Sequence, residues 1–550
     1  MLPFGKKIIP EKRPFSTRFE YTRIAILVSS IFLLTVLRRS DRISLPLAGN
    51  KEAREQRTRE STTSCFLVPA PLSLLYMDQA KVGTNWWTRP CGGFEVLRLA
   101  IPLIVSTGSL SLMNFTDRMF LMWWDTSTLS MTASMQAGLL FWTLVAIPNA
   151  IAMFVTTFVA QYRGSGNPNR IGPVVWQGIW FGLVVMPFLV LFGPFFAQAF
   201  EFFKHSPELI VLEDQYLYWV LWGSGAVIAG EAAASFFRGR GKMNVEMYVN
   251  VFCVLLNVVL DYCWIFGCAG FPAWGLAGAA IATTVSQWAR LFLYIGLMLQ
   301  DDGKEGGFNI LSGMKPDIVL LGRLFYFGIP SGSYTFVDTL SFTVFLMLIG
   351  GLGVHEAGAT TLAFTLNLFT FLPLVGIGIV VTSMVGNQLG NNRPDLARRA
   401  TNTAAIIGLT YTALFGILYL AIPNLLLEAF ASFTKPEEFE AVRGMSVILL
   451  RFVALYLFFD SCIAIFASAL RGAGDTVYVM KTTLILAPFL PLLCWLGIRY
   501  MNFGVYGCWA VLTAWVWIFS AFFALRFFGG KWEKMRVIET ELLKKTDAVT

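Results

Sequence analysis

Apolar residues fill most of this chain in runs that are long enough to cross a lipid bilayer. A membrane-spanning helix needs about 20 consecutive, mostly apolar residues. Runs of that length recur from residue 97 to residue 528, separated by short polar stretches. The pattern predicts an all-α membrane protein, because the runs are too long and too continuous to be the strands of a transmembrane barrel.

The boundaries of these runs predict twelve transmembrane helices. They lie at about 97–122, 135–160, 173–198, 215–236, 244–267, 276–299, 320–349, 357–388, 401–424, 447–469, 480–498 and 505–527. If the first helix starts in the cytoplasm, the inward loops carry thirteen Lys and Arg and the outward loops carry four. Basic residues concentrate in cytoplasmic loops. We therefore expect a multi-pass plasma-membrane protein (the inner membrane of a bacterium) whose helical core has both ends in the cytoplasm.

The two halves of the chain repeat one another. Pro102 pairs with Pro330 at an offset of 228 residues, and Pro148 pairs with Pro373 at an offset of 225. Shortly after the second proline of each half comes a hydroxyl pair followed by a glutamine, in TTFVAQ and in TSMVGNQ. Each repeat holds six helices, an even number, so the halves share one orientation. They are expected to form two lobes related by a pseudo-two-fold axis along the membrane normal, with the substrate site between them near midplane.

The same pattern divides the chain into five segments. They are an N-terminal extension (1–96), a first six-helix lobe (97–300), a linker (301–319), a second six-helix lobe (320–528) and a cytoplasmic tail (529–550). Positions 24–37 are apolar for only fourteen residues, which is short for a span. They resemble a signal peptide without a cleavage site. We interpret Met77 as the translation start and the extension as largely disordered or mis-annotated; the alternative is a thirteenth helix.

Composition excludes several classes of protein. The chain is 56% hydrophobic and 14% charged, and its net charge of +8 is spread over short loops, so no nucleic-acid partner is expected. The eight cysteines show no metal-binding spacing. The chain lacks the G-x-x-x-x-G-K-[ST] loop of ATP-driven pumps and the H-E-x-x-H motif of metalloproteases. We predict that it is not an enzyme and needs no cofactor besides a coupling ion.

Four aspartates carry the candidate chemistry. Asp117, Asp261, Asp338 and Asp460 lie within apolar runs, and no lysine lies at bilayer depth to neutralise them. Charged groups in hydrocarbon are costly and usually face a water-filled cavity where they handle ions or protons. Asn257 shares a helical face with Asp261, four residues on, and an amide oxygen beside a carboxylate suits a small cation. These five residues are the predicted coupling and substrate site, with Asp338 and Asp460 as a candidate Na⁺ site.

Other interpretations of these acids stay open at this point. Asp117 directly precedes Arg118, and its alternative is a solvated residue at the membrane interface. Asp338 and Asp460 are also compatible with an aspartyl protease dyad, although two duplicated lobes favour a transporter. The matched central prolines favour rocking lobes over a channel. Glu231, about two turns inside the fourth helix, is a further transport candidate, although we expect it to snorkel to the inner surface or to pair with a basic loop residue.

Together these residues resemble the multidrug and toxic compound extrusion (MATE) family over nearly all of 97–528. The motifs that carry the resemblance include LRLAIPLIVSTGSLSLMNFTDRMFL in the first helix, VAQYRGSGNPNRIG after the second, GIPSGSYTFVDTLSFTVF in the seventh and LFFDSCIAIFASALRGAGDT in the tenth. The resemblance implies twelve helices in two six-helix lobes around a V-shaped cleft. It also implies export of cationic drugs driven by Na⁺ or H⁺.

The resemblance extends to two branches of that family at once. Asp338 and Asp460 match the essential acids of the norfloxacin-efflux branch, although that branch has Glu at the first position. Asp117, Asn257 and Asp261 match the acids and the asparagine of the DNA-damage-inducible branch. Because the chain carries both sets, the coupling ion and the coupling lobe stay open.

The predicted function is therefore secondary active antiport. We expect export of cationic or amphipathic drugs and toxic metabolites in exchange for Na⁺ or H⁺, by a monomer whose partners are small hydrophobic cations and membrane lipids. The alternative is a flippase of lipid-linked or amphipathic metabolites.

Overall fold

The computed structural model describes residues 85–539, apart from short gaps at 126–128, 203–204, 269, 306 and 432–435. Every regular element in this part of the chain is helical. The predicted translation start at Met77 and the apolar stretch 24–37 lie outside the described residues.

The helices of the first half of the described chain form what we call the first lobe. They are α1 (Gly93–Trp124), α2 (Leu129–Gly164), α3 (Ile171–Leu191), α4 (Gly193–Phe202), α5 (Pro207–Leu221), α6 (Ser224–Gly239), α7 (Met243–Phe266) and α8 (Leu276–Glu305). The predicted third helix ends earlier than expected, at Leu191, and the short α4 follows it. The predicted fourth helix is α5 and α6 together, which bend by 41° at their junction.

The helices of the second half form the second lobe. They are α9 (Ile318–Gly350), α10 (Val354–Gly390), α11 (Pro394–Ala421), α12 (Pro423–Ala431), α13 (Pro436–Ala473), α14 (Thr476–Leu486), α15 (Phe489–Met501) and α16 (Val505–Phe528). Helices α14 and α15 form one crossing, interrupted beside Pro488, where the missing N–H and the bulky ring disturb the helical ladder.

Twelve crossings account for these helices. Among the described residues, ten stretches are long and apolar enough to span a membrane by themselves, and the bent pair α5–α6 is an eleventh. The remaining long helix is α8, whose 30 residues include a polar face that lowers its hydropathy. With α8 counted, these are the twelve helices that the sequence predicts; the crossings α5–α6 and α14–α15 are interrupted, and α8 is unusually polar.

Matched prolines shape matched helices in the two lobes. Pro102 and Pro148 lie inside α1 and α2, and Pro330 and Pro373 lie inside α9 and α10. A proline inside a helix removes one hydrogen bond and clashes with the preceding turn, so the helix bends there. The first two helices of each lobe therefore carry a proline, a residue that favours a bend, at matched positions.

The lobes approach closely at one end of the molecule. This end, which we call the basic end, carries the arginine-rich connections α2–α3, α6–α7 and α10–α11. A Cβ atom on Gly164 would lie 1.9 Å from the carbonyl oxygen of Asn387, and one on Gly390 would lie 2.2 Å from that of Gln161. Glycine is required where two backbones come this close.

The leading helix of each lobe begins against the other lobe. Val96 and Ala100 of α1 belong to the large apolar cluster of the second lobe. Leu320 and Leu324 of α9 belong to that of the first. Each lobe thus packs the start of the other lobe's leading helix into its own apolar cluster, and these contacts hold the lobes together at the basic end.

Candidate functional site

The first-lobe acids meet in one buried cluster. Asp117 on α1 and Asp261 on α7 are 7% and 0% exposed, and Asn257 is fully buried as well. With its amide nitrogen facing the carboxyl groups, Asn257 donates to Asp117 Oδ1 at 3.0 Å and to Asp261 Oδ2 at 3.2 Å. The structure brings these three predicted residues together, and it places Asp117 inside the lobe rather than at a solvated interface.

Helical spacing explains the cluster. Asn257 and Asp261 are one turn apart, on the face of α7 that packs along α1. Asn257 presents its nitrogen to the carboxyl groups, whereas the sequence-based hypothesis used its oxygen as a cation ligand. The other oxygen of Asp261, Oδ1, is buried and has no hydrogen-bond partner among the described residues. That oxygen is available to a proton or a small cation.

A cavity of about 320 Å³ lies beside Asp117. One wall is apolar and consists of Met135, Leu139 and Trp142 on α2, all of which are substantially exposed. Pockets for small molecules typically have apolar walls of this kind and a few polar groups that fix the orientation of the ligand.

A polar face of α8 forms another wall of this cavity. Thr283, Gln287 and Arg290 line it, and their spacing of four and three residues puts them on one side of the helix. Thr283 Oγ1, Gln287 Oε1 and Arg290 Nε are buried without hydrogen-bond partners in the described part of the chain, as is Asn149 Oδ1 of α2. Buried polar atoms normally have a partner, so these atoms are available to a ligand or to water.

Glu231 also lines this cavity, and its charge is paired with arginines. Arg238 donates to Glu231 at 2.7 Å and to Glu246 at 2.6 Å, and Arg290 lies 3.5 Å from Glu231. The expected pairing of Glu231 with a basic residue near the loop is therefore observed. The sequence analysis considered only lysine as a source of positive charge within the membrane. Arg290, in the middle of α8, supplies such a charge. Asp117 and Asp261, by contrast, contact each other and Asn257, and the charge of Arg118 acts on Asp117.

The second-lobe acids form a site of their own. Asp338 on α9 and Asp460 on α13 are half-buried; the charge of Asp338 acts on Asp460, and both charges act on Tyr334. Tyr456, one turn before Asp460, is 3% exposed, and its hydroxyl has no hydrogen-bond partner among the described residues. The guanidinium of Arg471 lies 5.4 Å from the centre of the Tyr334 ring.

The five predicted site residues thus occupy two sites, one in each lobe. Asp338 and Asp460 do not line the first-lobe cavity. Within the part of the chain that the structure describes, no group of three or more histidine, cysteine, aspartate or glutamate side chains comes together as a metal site. A Na⁺ held by Asp338 and Asp460 would take its remaining oxygen ligands from hydroxyl groups, carbonyl groups or water.

Sequence reasoning missed the polar face of α8. Its signal is present in the sequence, because Arg290 lies in the middle of the apolar run 276–299, together with Thr283 and Gln287 at helical spacing. An intramembrane arginine marks a functional-site candidate in the same way that an aspartate does.

Comparison with known proteins gives a consistent result. The MatE family profile matches the chain twice, at residues 102–263 and 330–496, which together make up more than half of it. The two matches begin at Pro102 and Pro330, the prolines that the internal repeat pairs.

Curated relatives cover most of the chain. A probable multidrug resistance protein NorM of Thermotoga maritima is 25% identical over 82% of this chain and 95% of its own length. The multidrug resistance protein PmpM of Pseudomonas aeruginosa is 28% identical over 71% of this chain and 80% of its own length.

Solved structures share the fold. A eukaryotic MATE transporter, AtDTX14, matches with a TM-score of 0.70 at 18% identity, over 83% of this chain and 98% of its own. The outward-facing conformation of a multidrug resistance MATE family transporter matches with a TM-score of 0.71 at 17% identity, over 80% of this chain and 96% of its own. These likenesses confirm the predicted fold class, twelve helices in two lobes.

Proposed function

Because the chain belongs to the MatE family of multidrug efflux transporters and not to a family of enzymes, we propose that it exports cationic or amphipathic drugs and toxic metabolites by antiport with Na⁺ or H⁺. The observation that carries the proposal is the buried carboxyl pair Asp117–Asp261 beside an apolar-walled cavity. A hydrophobic cation needs both features, an apolar surface for its body and a carboxylate for its charge.

The cavity supplies the substrate-binding part of the proposal. Trp142 offers a flat aromatic face, and a cation over an aromatic ring gains about 0.5–2 kcal/mol. Asp117 lies at the wall of the same cavity. A flat organic cation can therefore stack on α2 while its charge faces the carboxyl pair.

The acid pairs supply the coupling part. Two carboxylates in contact repel one another, and a shared proton or a bound Na⁺ removes that repulsion. An organic cation arriving at Asp117 competes for the same negative charge, and this competition is sufficient for exchange. We assign Asp338 and Asp460 the equivalent role in the second lobe, where the charge of Asp338 on α9 acts on Asp460 on α13.

The proposed cycle alternates access between the two sides of the membrane. We place the basic end in the cytoplasm of a multi-pass plasma-membrane protein, because basic loops favour that side. In the conformation described here the lobes touch at this end, so the substrate leaves toward the opposite side. Rocking of the lobes about the matched prolines then re-exposes the cavity to the cytoplasm. We propose that a monomer performs this cycle without a cofactor besides the coupling ion.

The test measures efflux of an ethidium-like dye from liposomes containing the purified protein, with sodium and proton gradients imposed separately. Asp338→Asn and Asp460→Asn, and likewise Asp117→Asn and Asp261→Asn, should abolish gradient-driven efflux at unchanged protein levels. Asp395→Asn is the matched control, because Asp395 is exposed and pairs with Arg393 at the surface; it should transport at the parent rate.

Two results would contradict the assignment. Parent-like efflux in both Asp338→Asn and Asp460→Asn would remove the second-lobe acids from coupling, and parent-like efflux in all four variants would reject carboxylate coupling. Movement of a fluorescent lipid analogue in the same liposomes, without dye efflux, would favour the flippase instead.

A further inference from the structure

The chain does not leave the molecule where the last transmembrane helix ends. After α16, Gly530 adopts a left-handed conformation with φ of 69°, and a short 3₁₀ helix follows at Lys531–Lys534. Residues 530–539, which we call the strap, then run across the basic end from the second lobe to the first. The sequence predicted only a cytoplasmic tail here.

One end of the strap is anchored in the second lobe. Trp532 is fully buried, stacks on Phe527 with 5.1 Å between the ring centres, and donates its indole N–H to the Phe527 carbonyl at 2.8 Å. Glu533 forms an ion pair with Arg398 of α11 at 2.7 Å. Burial of a large aromatic ring of this kind contributes more than a surface ion pair does.

The strap enters the first lobe at its other end. Val537 and Ile538 are 0% and 3% exposed and belong to the apolar cluster of the first lobe. The Val537 N–H donates to Gln161 Oε1 of the first lobe at 2.8 Å, and Arg323, near the start of α9 of the second lobe, donates to the Val537 carbonyl. These contacts are the packing of an integral element rather than of a loose tail.

Glu539 completes the anchor in a pocket of donors. Its carboxylate accepts from the Tyr162 hydroxyl at 2.9 Å and from Arg170 at 2.9 Å, and Arg323 lies 3.1 Å away. Burial by itself would raise the pKa of Glu539, but the hydrogen bonds from Arg170 and Tyr162 and the charge of Arg323 outweigh it and lower that pKa. The contact therefore stabilises the strap at neutral pH, and it is lost only as the pH falls below the usual glutamate range.

Gln161 joins the strap to the contact between the lobes. Its oxygen accepts from Val537, while its nitrogen donates to the Gly472 carbonyl at the end of α13, at 3.2 Å. This glutamine ends the repeated TTFVAQ motif, which the proposed transport chemistry leaves without a role. One side chain on α2 thus holds the second lobe and the strap at the same time.

We propose that the strap is an intramolecular latch that holds the basic end closed. Opening at this end must separate Gln161 from Gly472, and the strap is fixed on both sides of that separation. The contacts of Val537 and Glu539 with Gln161, Tyr162 and Arg170 of the first lobe therefore have to break before the lobes can part. The inference rests on the alternating access of the proposed function, and it identifies how that access is regulated.

The test reports opening of the basic end by thiol labelling. Ser383 of α10 is 4% exposed and donates to the Arg238 carbonyl across the lobe contact at 2.7 Å, so Ser383→Cys places a reporter inside the closed end. The purified full-length protein, which keeps its native cysteines, is treated with a water-soluble maleimide. Labelling of the same protein without Ser383→Cys is measured in parallel and subtracted as background. The assay needs no transport, so absence of dye efflux would not affect its outcome.

Latch variants are then combined with the reporter. Glu539→Gln removes one charge-assisted contact, and labelling of the reporter thiol should rise about tenfold; Val537→Asp, which puts a carboxylate into the apolar anchor, should raise it further. Lys534→Gln is the matched control, because Lys534 is an exposed residue of the same strap, and it should label at the parent rate. Parent-like labelling in monodisperse Glu539→Gln and Val537→Asp proteins would overturn the proposal, as would an equal rise in Lys534→Gln.

Discussion

At the scale of single residues, the buried charges of this protein are of two kinds. Glu231 and Glu246 are each matched by an arginine, through Arg238 and Arg290. Asp117 and Asp261 instead face one another, and the charge of Arg118 acts on Asp117 without an ion pair among the described contacts. A matched pair is structural by default, because its charges are already satisfied, whereas an unmatched carboxyl pair is open to a mobile cation.

Arg238→Gln should destabilise the protein strongly, because it leaves Glu231 and Glu246 buried without their main partner. Removing one member of a buried ion pair typically costs about 3–5 kcal/mol, which a lower melting temperature of the purified protein would report. Arg393→Gln breaks an exposed pair and should change stability by about 1 kcal/mol or less. Equal melting temperatures for the two variants would contradict this account of the network.

At the scale of elements, α2 is the central helix of the lobe contact. From its proline onward it packs against α9 and α10 of the second lobe and against the end of α13. Gly328 and Gly332 of α9 allow the approach, since Cβ atoms there would lie 3.0–3.1 Å from Ile151 and Ile147. Lipid tails are as apolar as the helix surfaces, so the hydrophobic effect does not drive membrane helices together. Small residues instead let the helices approach closely and gain van der Waals contacts.

Gly164→Ala should weaken this helix contact. Its Cβ would collide with the Asn387 carbonyl, and such overpacking costs about 1–3 kcal/mol. Gly296→Ala is the control, since a Cβ there meets nothing within 4 Å, and an alanine inside a helix gains about 1 kcal/mol over glycine. Melting temperatures should therefore move in opposite directions. A shift in the same direction for both variants would argue against the close approach at Gly164.

At the scale of the whole molecule, the lobes are joined at the basic end by several independent contacts. The exchange of α1 and α9 between the apolar clusters, the glycine contacts of α2 and α10, and the strap all lie there. The cavity beside Asp117 is lined by residues of the first lobe. The rocking that we propose would have to break the contacts at the basic end as a group.

A disulfide across the closed end should stop transport. A Cβ on Gly386 would lie 2.9 Å from that of Ala160, slightly short of disulfide spacing, about 3.5–4.5 Å, so a small shift brings paired cysteines into range. The double variant Ala160→Cys with Gly386→Cys should lose dye efflux on oxidation and regain it on reduction. Each single variant should be insensitive to the oxidant. Full efflux by the cross-linked protein would mean that the basic end does not open during transport.

The hydrophobic pattern by itself determined the class, the helices and the repeat. Apolar length sets where a helix can cross a bilayer, and the paired prolines, such as Pro102 and Pro330, mark equivalent helices, so twelve crossings in two lobes follow from local sequence. The five candidate site residues were also identifiable as candidates, because an ionisable or amide group is conspicuous inside an apolar run of the sequence.

Only the tertiary structure decided which of these residues share a site. Whether Asp117 meets Asp261, whether Glu231 meets Arg290, and whether the chain after α16 crosses to Gln161 all depend on how separate helices are rotated and packed. Those rotations are set by glycine contacts and buried apolar surfaces between elements far apart in the sequence. Hydrophobic periodicity records which face of a helix is apolar, and it carries no information about which distant helix covers that face.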